Sequence, residues 1–271
     1  MKKEWKQYAA RDFSTLFYLH YNNGNSQRAL IMVHGITVEV KHHEEMAKVY
    51  KAGGDIFLPL LRGYDSQHAK GKLDYIGQYD DDLFDFIHFI RKQGYQEIIL
   101  AGHSMGCANL LRLIYKNEKA ADGYVFFAPY FHPEIPVYQE DVNEHFKPET
   151  EVDYKVFSKK AAALALLQKL GIQRFNNQTV AIVPDEFSEG DLVHLSFKLM
   201  FSRFLEPFPG QMSMIKKFIT FIGEKDEFIV PSKLQRWHRD TFLQDVLIIP
   251  GEDHNHLLHN EIVHKKLEEV L

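Results

Sequence analysis

The chain has 271 residues, 45% of them hydrophobic, enough to bury a sizeable core and to exclude a disordered polymer. Its formal charge of −5 and sequence pI near 6.3 supply no overall basic field, so nucleic acid is not an expected partner. A single cysteine, Cys107, excludes an intramolecular disulfide and a multi-cysteine metal site, and fits a reducing compartment.

The N-terminal run Met1-Lys2-Lys3-Glu4-Trp5-Lys6-Gln7 has the charge of a signal peptide without the apolar stretch that must follow. No run of about 18 uncharged apolar residues occurs elsewhere, so no transmembrane segment is expected and the expected location is cytoplasmic. Residues 13–21 read as one or two antiparallel strands. Apolar runs at 29–33, 55–59, 97–102, 123–128, 217–222 and 245–249 read as further strands. Their alternation with helical patterns predicts an α/β fold with a mainly parallel central sheet flanked by helices. Between the second and third runs, Ile76, Tyr79, Leu83, Phe86, Ile87 and Ile90 share one helical face, and Asp80-Asp81-Asp82 reads as a mostly solvated first turn.

The alternation breaks after Ala128-Pro129 and resumes near Ile215. Residues 132–213 hold a helical stretch at 158–170 and an aromatic-rich one at 195–208, which predicts an inserted lid between core segments 1–131 and 214–271. The acidic residues Glu140, Asp141, Glu144, Glu149, Glu151 and Asp153 read as solvated surface. Phe197, Met200, Phe201 and Phe204, with Leu199, Leu205 and Phe208, suit packing of lid on core, and the same side chains are candidates to line an acyl-chain groove. The apolar residues of 161–170 are better explained by a packed helix. Next to Lys159-Lys160 they leave transient contact with a membrane surface open.

The chemistry centres on Gly102-His103-Ser104-Met105-Gly106, a Gly-x-Ser-x-Gly run between the apolar segment ending at Ala101 and a helical pattern of Ala108, Leu111 and Tyr115. A sharp strand-to-helix turn there would strain Ser104 and push its hydroxyl out of the sheet, beside the positive end of the next helix. Serine is a weak nucleophile at neutral pH and needs a base, held in turn by an acid. Gly223-Glu224-Lys225-Asp226 follows one predicted strand and Pro250-Gly251-Glu252-Asp253-His254 the next, which makes Asp226 the candidate acid and His254 the candidate base. His256 is the rival base and Glu134 the rival acid. His103 reads as a packing or hydrogen-bonding residue. A metal at His254-x-His256 would need a further ligand, and no His-Glu-x-x-His signature occurs, so neither metal nor cofactor is expected.

The order Ser104, Asp226, His254 resembles that of α/β-hydrolases, in particular the monoacylglycerol lipase and lysophospholipase-like branch. The likeness extends to His34-Gly35 after the first parallel strand, Arg62-Gly63-Tyr64-Asp65-Ser66 after the second, and the Gly251-Glu252-Asp253-His254 loop. It departs at Asp65, where relatives often carry glycine. The resemblance implies that the backbone N–H groups of Ile36 and Met105 form an oxyanion hole, and that the reaction is hydrolysis of a small-molecule acyl ester by a carboxylesterase or lipase through an acyl-enzyme on Ser104. A serine peptidase or amidase using the same triad, and a non-catalytic ligand-binding homologue, are the alternatives.

Overall fold

The computed structural model describes residues 5–23, 27–50, 54–139, 155–209, 212, 215 and 217–270. The acidic run from Glu140 to Asp153 lies outside them. Strands β1 (Lys6–Ala9) and β2 (Thr15–Tyr21) form an antiparallel hairpin in which Lys6 faces Tyr18. Then β3 (Arg28–Val33), α1 (Val40–Val49), β4 (Asp55–Pro59), α2 (Gln78–Lys92), β5 (Glu97–His103), α3 (Gly106–Lys116) and β6 (Gly123–Phe127) alternate along the chain. Next come β7 (Lys155–Val156), α4 (Ser158–Lys169), β8 (Thr179–Pro184), β9 (Leu192–Ser196) and α5 (Phe197–Phe201). The chain closes with β10 (Phe218–Gly223), α6 (Pro231–Phe242), β11 (Leu247–Ile249), a 3-10 turn at His256–His259 and α7 (Glu261–Val270).

Eight strands form one sheet in the order β1-β2-β4-β3-β5-β6-β10-β11. All pairings from β4 to β11 are parallel, while β1 and β2 are antiparallel. The parallel strands are near-continuous apolar runs because helices cover both faces: β4 and β6 are buried at every position. Each fully buried Leu, Ile or Phe of such a strand contributes about 1.5–3 kcal/mol relative to exposure. In register, Val33 pairs with Gly102 and Gly102 with Phe126, so β3, β5 and β6 end together at one edge.

Three features differ from the sequence reading. The Asp80-Asp81-Asp82 turn is not mostly solvated: Asp80 and Asp82 are buried. Asp80 pairs with Arg112 and Lys116, each at 2.7 Å, and Asp82 pairs with Arg62 at 2.8 Å, so long-range cations make burial tolerable. The stretch 132–213 also contains an antiparallel sheet, β7-β8-β9, which short runs such as Thr179–Pro184 did not signal. Finally, α4 packs less deeply than a core helix, with Ala161, Ala165 and Leu167 partly buried against the core. Only Leu164 is buried there, because its apolar residues run around the helix instead of forming one stripe.

Candidate active site

The elbow expected at Ser104 forms where β5 meets α3. Ser104 is held at φ 53°, a left-handed conformation costly for a non-glycine residue. Its backbone is pinned on both sides: its N–H donates to the Phe127 carbonyl at 2.9 Å, and its own carbonyl accepts from Cys107 and Tyr130 N–H groups at 3.1 and 3.0 Å. The flanking glycines are a steric requirement. A Cβ at Gly106 would stand 2.1 Å from the Val33 carbonyl oxygen, and one at Gly102 would stand 2.7 Å from the Cys107 nitrogen. The lone cysteine packs in the same turn, its thiol donating to the Gly102 carbonyl at 3.1 Å.

The loop after β3 closes over the elbow, so that a Cβ at Gly35 would approach Ser104 Cβ to 3.1 Å. His34 is buried beneath it. Leu61 N–H donates to His34 Nε2 at 3.2 Å, so Nδ1 carries the proton and donates to the Gly35 carbonyl at 2.9 Å. Burial, with a smaller effect from Arg203, pushes the His34 pKa well below its ordinary value and keeps the ring neutral. Among the described residues neither Ile36 N–H nor Met105 N–H donates to another protein group. Met105 immediately precedes α3, so its N–H lies at the positive end of that helix.

Asp226 and His254 come from the loops after β10 and β11 and are both buried. His254 Nδ1 and Asp226 Oδ2 are 2.8 Å apart. Asp226 Oδ1 accepts from the N–H groups of Phe228 and Ile229 at 2.9 and 2.8 Å, so neither carboxylate oxygen is free to turn away. His103 Nε2–H donates to the His254 carbonyl at 2.9 Å, which ties the histidine loop to the elbow. Burial alone would lower the His254 pKa. The charge and hydrogen bond of Asp226, with Glu227 and Glu39, outweigh burial and raise it above its ordinary value.

The rivals take other positions. His256 is exposed, with Nδ1 2.7 Å from Asp253 Oδ2, and Glu134 is exposed at the surface. Asp253 Oδ1 accepts from the N–H groups of Asn255 and His256 at 3.0 and 2.8 Å, shaping the turn after His254. Of the four candidate substrate contacts, Phe197, Met200 and Phe204 are buried and Phe201 is half-buried. The Phe204 ring lies 6.0 Å from that of Tyr130, whose backbone N–H donates to the Ser104 carbonyl.

Other residues around the site were not read from the sequence. Tyr64 Oη–H donates to the Ile36 carbonyl at 2.8 Å. It accepts in turn from Arg203 at 2.9 Å, and the fully buried Arg203 also donates to Asn109 Oδ1 at 3.0 Å. Tyr64 stood within a noticed motif, but its tether to Ile36 had no local signal, and Arg203 lies 139 residues from Tyr64. Asp65 shapes its own turn: its Oδ1 accepts from the N–H groups of Gln67 and His68, each at 2.8 Å.

A family model described as serine aminopeptidase, S33, matches residues 24–262. Comparison with curated proteins gives no match. Among solved structures, the chain is similar to a soluble variant of monoglyceride lipase from Saccharomyces cerevisiae, at 17% identity and TM-score 0.64, covering 99% of this chain and 94% of that one. It is also similar to a monoacylglycerol lipase from Paleococcus ferrophilus (16% identity, TM-score 0.61, covering 94% and 97%). A carboxylesterase from Bacillus subtilis is a third (14% identity, TM-score 0.61, covering 100% and 92%). At these identities the likeness is one of fold.

Proposed function

The chain belongs to the serine aminopeptidase S33 family of α/β-hydrolase serine hydrolases, and we propose that it hydrolyses carboxylic esters through an acyl-enzyme on Ser104. The observation that carries this reading is the buried 2.8 Å contact between His254 and Asp226, on the loop ends beside the strained Ser104 elbow. Asp226 fixes the tautomer with the proton on Nδ1, leaving Nε2 to take the Ser104 proton. Ser104 Oγ then attacks the ester carbonyl, and the N–H groups of Ile36 and Met105 receive the oxyanion. His254 returns the proton to the departing alcohol. Water, activated by the same base, releases the acid.

Esters rank ahead of amides because solved structures similar in fold are a carboxylesterase and monoacylglycerol lipases. The 132–213 segment supplies Phe204, and we assign it the part of a lid over the core segments 1–131 and 214–271. Purified protein would be assayed on p-nitrophenyl esters graded in acyl length, on monoacylglycerols and on an aminoacyl anilide. The expected result is ester turnover with a length optimum that Ser104→Ala abolishes while circular dichroism stays unchanged. Turnover confined to the anilide would replace this reading with an aminopeptidase. Turnover that survives Ser104→Ala would remove Ser104 from the chemistry.

A further inference from the structure

A cluster of imidazoles that the acyl-transfer chemistry does not use lies between α1 and the turn that follows His254. His42 and Glu45 stand three residues apart on α1, a spacing that puts them on one helix face. His256 and His259 open and close the 3-10 turn at the same spacing. His42, Glu45 and His259 each offer one ligand atom, and these three atoms lie within 4.8 Å of one another. We propose that His42, Glu45 and His259 form a site for a divalent transition-metal cation of the Zn2+ type, which fastens α1 to the segment that carries His254.

Four observations support a cation site. His42 Nδ1 is buried and has no hydrogen-bond partner, a cost that a metal bond would remove. His259 Nε2–H donates to the His42 carbonyl at 3.1 Å, the outer-shell bond by which a ligating histidine is oriented. That bond turns His259 Nδ1 toward Glu45, whose Oε2 lies 3.5 Å away. The separation exceeds that of an ordinary hydrogen bond and leaves room for one cation to bridge the two atoms. The His42 and His259 rings also lie nearly parallel, 14° apart with centroids at 5.3 Å, so both edges can be presented to one side.

Two imidazoles and a carboxylate suit zinc, whose bond lengths of about 2.0–2.2 Å require a small inward turn of these side chains. The fourth position falls to water or to His256, whose ring centroid is 5.7 Å from that of His42 and whose Nδ1 is already engaged by Asp253. The pairs are far apart in sequence, His259 bonding a residue 217 positions away, so no local ligand spacing announced the site. The proposal does not depend on the catalytic reading.

The test uses untagged, full-length protein, stripped with chelator and dialysed, then titrated with ZnCl2. Retained zinc would be measured after gel filtration and the melting temperature followed in parallel. One zinc per chain and a zinc-dependent rise in melting temperature are expected. His259→Ala and His42→Ala should weaken binding at least tenfold and abolish the rise, while His254→Ala should leave both in place. Should either alanine variant fail to fold, Glu45→Gln takes its place with the same expectation. Replacing zinc by Co2+ should give visible absorption bands of tetrahedral intensity. Failure of the wild type to retain zinc, binding unaffected by Glu45→Gln or His259→Ala, or binding lost in His254→Ala would each overturn the proposal.

Discussion

Both carboxylate oxygens of Asp226 are engaged, one by His254 and the other by two backbone N–H groups, so the proposed acid is held in place by the fold alone. In the proposed mechanism, a preset acid–base pair removes reorganisation from the reaction step. Glu227 adds a second, tunable influence: its carboxylate accepts the His254 N–H at 3.1 Å and its charge helps hold the imidazole pKa above the ordinary value. Because the base must be neutral, the acid limb of kcat/KM should inflect above about pH 6.5. Glu227→Gln keeps an acceptor for the N–H and deletes the charge, so the inflection should move to lower pH with the plateau rate largely retained. A pH–rate profile checks this, and an unmoved or upward-shifted limb would contradict it. The placement of Ser104, Asp226 and His254 was legible because each follows an apolar run at a strand end. Tyr64 and Arg203 were not, because their value lies in a contact across the fold to the Ile36 carbonyl and the Tyr64 hydroxyl.

At the scale of elements, α2 and the loop after β4 are locked by an ion pair that the sequence reading had placed in water. Arg62 donates to both oxygens of Asp82, at 2.9 and 2.8 Å, with the two side chains 4% and 6% exposed. Asp12 joins from the turn after β1 at 3.0 Å. Removing one partner of a buried pair leaves the other charge uncompensated, at a cost of about 3–5 kcal/mol. Asp82→Asn should lose about 3 kcal/mol in urea unfolding, near the lower bound because Asp12 remains. A loss below about 0.5 kcal/mol, the scale of an ordinary surface change, would contradict the assignment. The same loop carries Tyr64 and so steadies Ile36. Parallel strands such as β3 and β5 were readable because burial on both faces leaves an unbroken apolar run. The β7-β8-β9 sheet was not, since β7 has two residues and β9 alternates burial over only five. The aspartates at 80 and 82 misled because their cations come from Arg112, Lys116 and Arg62, beyond any local window.

For the whole molecule, the sheet gathers the proposed catalytic residues at its carboxyl edge. The loops after β3, β5, β10 and β11 carry Ile36, Ser104, Asp226 and His254, although these residues span most of the chain. That edge is where open parallel sheets place ligands. No described helix is long and apolar enough to cross a membrane, and α4 presents Leu166 at 60% exposure, so apolar surface is available on that helix. The central claim is that the fold activates Ser104 through His254. The most direct measurement is intact-protein and peptide mass spectrometry after treatment with a serine-directed fluorophosphonate. The account predicts one phosphonate per folded chain, on the peptide containing Ser104, with labelling slowed at least a hundredfold by His254→Ala and unaffected by His256→Ala. No labelling of the folded wild type, or labelling equally fast in His254→Ala, would contradict it.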